Sequence, residues 1–237
     1  MRRTVWLLRV LLVLLAALPL AAATADALNL QGYARYQKKE FGPALELFRR
    51  AVKADANHLH ANYNLACTLA ILLEKEYCEY LECVDEVFTH LERAFRILPA
   101  QRRHAASDPD LFHCRKYLRY YRLMGYCWTN PAHLRTILTR TVWAVPGPGA
   151  INPIAEIRFL EDGTFVAGEG WEMQKDGKYG RNTTRGSWKI TVEKGQTWLW
   201  FQGGVGPWRK ILWKPWEGFR VQPEGYEFSN FLGDCSA

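Results

Sequence analysis

Several things are scarce in this 237-residue chain, and each scarcity removes a class of function. No two cysteines are spaced C-x-x-C, which disfavours both paired zinc ligands and a thioredoxin-type redox pair. Basic residues never run in a long stripe: Arg102-Arg103 and Arg209-Lys210 are short and isolated. The charge balance is mild. Of 31 Lys and Arg, three (Arg2, Arg3, Arg9) precede the first acidic residue, Asp26, which leaves 28 against 24 Asp and Glu, or +4. A nucleic-acid binder needs a concentrated basic footprint, and none exists here.

Catalytic signatures are also missing. The chain has no G-x-S-x-G elbow, no H-E-x-x-H and no Walker loop. Gly203-Gly204-Val205-Gly206 is followed by Pro207 and another β-type run rather than a helix, which predicts a hairpin loop and not a phosphate cradle. Glu169 and Glu172 read as loop charges, not as a glycosidase pair. The six histidines (His58, His60, His90, His104, His113, His133) all lie in the first 140 residues, and no two of them form a helical ligand pair. Hence no catalytic residue, metal ligand or cofactor is expected, and the chain reads as a non-enzyme.

What is present begins with a leader. Arg2 and Arg3 form a positive n-region, Val10 to Leu18 an apolar core, and Ala23-Thr24-Ala25 a small-residue cleavage site. The core is shorter than the roughly 20 residues that span a bilayer. Residues 1–25 are therefore expected to be removed and the protein to be exported, periplasmic or extracellular, with no transmembrane segment left; an uncleaved N-terminal anchor is the alternative. Six cysteines remain (Cys67, Cys78, Cys83, Cys114, Cys127, Cys235), an even number compatible with disulfides or with buried thiols.

Composition changes near residue 140. The first half is rich in Ala, Leu, Arg and Glu at helical spacing. Helices are predicted over Leu28 to Lys38, from Pro43 through Val52, over Leu59 to Leu73, Asp85 to Leu98 and Phe112 to Gly125, with Ser107 or Asp108 capping the last and Pro109 in its first turn. Gly32 and Ala66 lie 34 residues apart, Ala51 and Ala94 lie 43 apart, and the extra residues fall around Lys75 to Cys83. With Ala44, Phe48 and Phe41 in the first unit and Leu65, Ala66, Ala94 and Pro99 in the second, this pattern resembles the tetratricopeptide repeat. Ala56, Val87 and Leu91 depart from it. The Asp108-Pro109-Asp110-Leu111 run followed by Arg115 resembles a closing segment. The resemblance implies a concave groove that binds a protein or peptide, presenting Asn29, Tyr33, Tyr36, Gln37, His60 and Tyr63.

The second half alternates apolar and polar residues between turn signals such as Glu161-Asp162-Gly163 and Glu193-Lys194-Gly195. Strands are predicted over Thr136–Val145, Ile154–Phe159, Thr164–Trp171, Arg185–Val192, Thr197–Gln202, Trp208–Lys214 and Gly218–Val221. The expected fold class is thus α+β: helical hairpin repeats over 26–135, then an antiparallel meander over 136–237 closed into a barrel or sandwich. Ile157-Arg158-Phe159, Asp162-Gly163-Thr164-Phe165 and Gly186-Ser187-Trp188-Lys189-Ile190 resemble lipocalin-like β-domains of bacterial envelope proteins. Eight of the ten tryptophans lie from Trp143 onward. Trp171, Trp198, Trp200, Trp208 and Trp213 are candidates to bind an apolar or sugar-like ligand. The other reading makes them core, and at least one of Trp198 and Trp200 is expected there. Function then reads as an exported interaction scaffold; the alternative is a lipocalin-like small-ligand binder with the repeats as platform.

Overall fold

The computed structural model describes residues 24–141, 143–145, 155–173, 179–203, 206–212, 219–220 and 227–230. Residues 1–23 of the expected leader lie outside the described residues, and Ala25 begins the first helix. The chain is α+β: the described residues hold eight α-helices in its first part and an antiparallel sheet in its second.

Helix α1 (Ala25–Gln37) starts at Thr24, whose Oγ1 accepts from Ala27 N, and carries Asp26 in its first turn, where a negative charge suits the helix dipole. Helix α2 (Phe41–Ala54) folds back on it and buries Ala44, Leu45, Phe48 and Ala51. The crossing is close because Gly32 has no side chain: a Cβ there would stand 2.7 Å from the Phe48 ring. Helix α3 (Leu59–Lys75) is buried along most of its length, Leu65, Ala66, Leu69 and Leu73 included. It packs on α5 (Val84–Ile97) through Val87, Phe88, Leu91, Ala94 and Phe95. The residues around Lys75 to Cys83 form a short helix α4 (Tyr77–Tyr80) and a 3₁₀ turn at Leu81–Cys83.

After α6 (Gln101–Ser107) the expected cap is found. Asp108 Oδ1 accepts from Asp110 N at 3.0 Å and Pro109 opens a 3₁₀ turn, Pro109–Leu111. The expected continuous helix over Phe112 to Gly125 is not. Another 3₁₀ turn (His113–Lys116) and a short α7 (Leu118–Leu123) flank an extended Tyr117. The cause is tertiary hydrogen bonding: the Arg115 carbonyl accepts from the Tyr121 hydroxyl at 2.8 Å, while the Arg115 guanidinium donates to the Ala106 and Asp108 carbonyls.

The predicted strand Thr136–Val145 is likewise corrected. Residues Pro131–Arg140 form helix α8; Asn130 Oδ1 caps Ala132 N and His133 N, and Pro131 sits at its first position. Leu134, Ile137 and Leu138 recur at helical steps and are fully buried. Only Trp143–Val145 remains as strand β1.

Strands β2 (Ala155–Phe159), β3 (Thr164–Met173), β4 (Tyr179–Glu193), β5 (Gln196–Gly203) and β6 (Arg209–Leu212) form the expected meander. Beyond β2 the sheet continues through β1 to β8 (Glu227–Asn230) and β7 (Phe219–Arg220). It is not closed into a barrel: among the described residues no ladder joins β6 to β7. The apolar face that a barrel would turn onto itself is covered by helices instead. Ile157, Phe159, Phe165, Trp188, Leu199 and Phe201 share one continuous buried cluster with Leu134, Ile137 and Leu138 of α8 and with the residues of α2, α3 and α5. Arg135 stacks on the Trp188 ring and donates to the Glu161 carbonyl; Thr197 Oγ1 donates to the Thr129 carbonyl. No helix among the described residues is long and apolar enough to cross a membrane.

Candidate functional site

Alternation along β5 sends Leu199 and Phe201 into the core and Trp198 and Trp200 to the opposite face. This overturns the expectation that at least one of these tryptophans is core. Both are half-buried because of their neighbours on that face. The register pairs Trp200 with Lys189 of β4 and Lys210 of β6, and Trp198 with Thr191. Lys210 Nζ lies 4.1 Å from the Trp198 ring and 5.1 Å from Trp200; Lys189 Nζ lies 4.6 Å from Trp208 and 5.6 Å from Trp200. The lysine stems cover part of each indole while the ammonium groups face the rings. Trp200 Nε1 donates to Thr191 Oγ1 at 2.9 Å, which fixes the ring. Lys210 also bonds Glu193, holding that carboxyl below its ordinary range. Trp208 is 38% exposed. The result is a strip of three indoles interleaved with two ammonium groups. Of the five tryptophans named as ligand candidates, the structure brings these three together; the Trp171 side chain and Trp213 lie outside the described residues. Lys210 stood in the sequence only as part of a short basic pair and Lys189 only within the Gly186–Ile190 run, and Thr191 was not singled out. The cross-strand register that joins them is a long-range property, with no local signal beyond the turns.

The six residues named for the helical groove divide into two groups. Tyr36 and Tyr63 are engaged by the chain itself. Tyr63 donates to Asp108 Oδ2 at 2.7 Å, and Tyr36 donates to Asp110. Cys67 Sγ lies 3.8 Å and His104 Nε2 3.4 Å from Asp108 Oδ2. Burial and the nearby carboxylates push both phenols upward, burial raises Asp110, and Cys67 is held well above an ordinary thiol by burial first and Asp108 second. Asn29, by contrast, accepts from Asn64 Nδ2 at 3.0 Å at the rim. Tyr33 is 44% exposed and stacks on Tyr36; Gln37 and His60 are exposed. Tyr36 and Tyr63 thus hold the Asp108–Leu111 segment, while Tyr33, Gln37 and His60 stay exposed.

Ligand atoms of Cys67, Asp108 and Asp110 lie within 4.8 Å of one another. A cation entering there would have to displace two tyrosine hydrogen bonds and remove a proton from a thiol whose burial opposes ionisation. Among the described cysteines, Cys67, Cys83, Cys114 and Cys127 are free thiols. Cys114 is buried, which pushes it up to about 12, whereas the exposed Cys127 is lowered by its contact with Thr129.

No family model, no curated protein and no solved structure matches this chain.

Proposed function

We propose that this is an exported, non-enzymatic interaction protein that binds a sugar-like ligand on the tryptophan–lysine strip of its sheet. The observation that carries the reading is the placement of Trp198, Trp200 and Trp208 on the solvent side with Lys189 and Lys210 against their rings. Sugar rings stack their C–H faces on indoles, and the ammonium groups add hydrogen-bond donors suited to hydroxyl or carboxylate substituents. The spacing of two residues along β5 sets Trp198 and Trp200 apart by about 7 Å, within reach of neighbouring units of a saccharide chain. The leader pattern supports export. The small-residue crossings at Gly32, Ala51 and Ala94 support a tetratricopeptide-type array, whose rim at Asn29, Tyr33, Gln37 and His60 is where a protein partner would dock.

Titration of the full chain with a panel of neutral and acidic oligosaccharides, followed by indole emission, tests the reading. Saturable quenching that is lost in Trp200→Ala and Trp208→Ala supports it. Absence of quenching across the panel, or quenching unchanged in both variants, refutes it.

A further inference from the structure

Away from both surfaces, a cleft of about 470 Å³ opens where the helical array meets α8. Its walls bring together four arginines from three elements of the chain: Arg102 and Arg103 of α6, Arg115 of the 3₁₀ turn His113–Lys116 and Arg140 at the end of α8. Among the described residues lining it, none carries a carboxylate. Two of the arginines are fixed without being neutralised. Arg102 Nε donates to the Leu123 carbonyl at 2.8 Å and its guanidinium lies over the Phe95 ring; Arg115 donates to two backbone carbonyls. Carbonyl oxygens orient a guanidinium but leave its charge in place, with further N–H donors still to be satisfied. Arg103 and Arg140 are exposed at the mouth. The remaining walls include Tyr126 and Met124, an apolar flank beside the cationic one.

Four guanidinium groups lining one concavity, with no carboxylate among the described lining residues, make it a favourable place for an anion. We propose that this cleft is a binding site for a small organic polyanion, a molecule carrying at least two phosphate or carboxylate groups on a body that rests against Tyr126 and Met124. Arg102 and Arg115, held by backbone carbonyls, form the preorganised floor, and Arg103 and Arg140 close on the ligand from the rim. The volume suits a metabolite-sized molecule and not a polymer. Guanidinium forks match phosphate and carboxylate oxygens alike, so the shared chemistry is a cluster of anionic oxygens.

The test is calorimetric titration of the full chain with pyrophosphate in one arm and citrate in the other, at low and at raised potassium chloride. Saturable binding with a Kd below about 1 mM is expected in at least one arm, weakening with salt. The arm that binds more tightly identifies phosphate or carboxylate as the recognised group. Arg103→Gln and Arg140→Gln should each weaken binding about tenfold while leaving the ligand-free melting temperature unchanged, because both side chains are exposed. The proposal fails if neither anion gives a saturable isotherm, or if both variants bind as the unsubstituted protein does.

Discussion

The Tyr63 hydroxyl donates to Asp108 Oδ2 at 2.7 Å across 45 residues of sequence, joining the centre of the helical array to the turn that follows it. Both groups are buried. Removing the hydroxyl leaves a buried carboxyl group short of a donor. Tyr63→Phe is therefore expected to lower stability by about 1.5–3 kcal/mol, read as a shift in the urea midpoint at constant slope. A neutral result would mean that Cys67 and His104 satisfy Asp108 by themselves.

Glycine substitutions separate close approach from open space. A Cβ on Gly186 would lie 2.1 Å from the Gln202 carbonyl oxygen and 2.5 Å from the Phe165 ring. The carbonyl belongs to the β4–β5 ladder and cannot yield without breaking pairing. Gly186→Ala should cost at least about 3 kcal/mol. Gly42, in the first turn of α2, meets nothing within 4 Å. Gly42→Ala should be neutral or stabilising by up to about 1 kcal/mol. Thermal melts of the two variants should move in opposite directions or differ by a wide margin; equal shifts would contradict the packing.

Strand β5 offers a comparison between adjacent residues. Leu199 is wholly buried and Trp198 is half-exposed. Leu199→Ala should cost about 2–5 kcal/mol through lost burial and a cavity. Trp198→Ala should cost distinctly less, although alanine removes far more atoms from it. Urea titrations followed by far-ultraviolet circular dichroism, which does not depend on the tryptophan being removed, would show whether the order is reversed.

Two histidines set a pH dependence. Burial lowers His90 and His113 below the ordinary value of 6.5. His90 faces Glu86, Arg93 and Arg49 and donates from Nδ1 to Asn62 Oδ1; His113 faces Lys116, Glu74 and the Tyr117 ring. As pH falls, the unfolded chain takes up these protons first. Their stabilising effect is full above pH 6.5, is lost as pH falls through that value, and levels off once the folded histidines titrate too. Urea midpoints measured from about pH 7.5 down to about pH 5.5 should fall, and His113→Phe should flatten part of the slope. A midpoint that is constant or rising over this window would show the histidines to be solvated.

Local chemistry was readable wherever it acts over a few residues. The Asp162-Gly163 and Lys194-Gly195 turns follow from residue type and spacing alone; the cap was narrowed to Ser107 or Asp108 before Pro109, and the Gly32–Phe48 packing was what the repeat resemblance implied. Thr136 to Val145 was misread because Thr136, Ile137 and Thr139 favour strands intrinsically. In the fold their neighbours Leu134 and Leu138 bury a helical face, and the threonine hydroxyls bond back to the Ala132 and Arg135 carbonyls. The open sheet had no local signal, since the helix that packs on β2 and β4 is α8, and its pairing with them is long-range. The indole–ammonium strip was half legible. Trp198 and Trp200 share a face by period two, but which face, and which lysines lie beside them, depends on tertiary packing and register. Arg102-Arg103 stood out only as an isolated basic pair, because Arg115 and Arg140 reach it through two further elements.

The buried cluster that runs from Phe48 and Phe88 through Leu134 to Trp188 and Phe201 makes the two compositional halves mutually dependent. A cut placed between them would strip the cover from Leu134, Ile137 and Leu138 on one fragment and from Phe159 and Trp188 on the other. Each piece would expose a greasy patch of the kind that drives clumping. Neither part could be moved into another protein without also supplying the surface that its missing partner now covers.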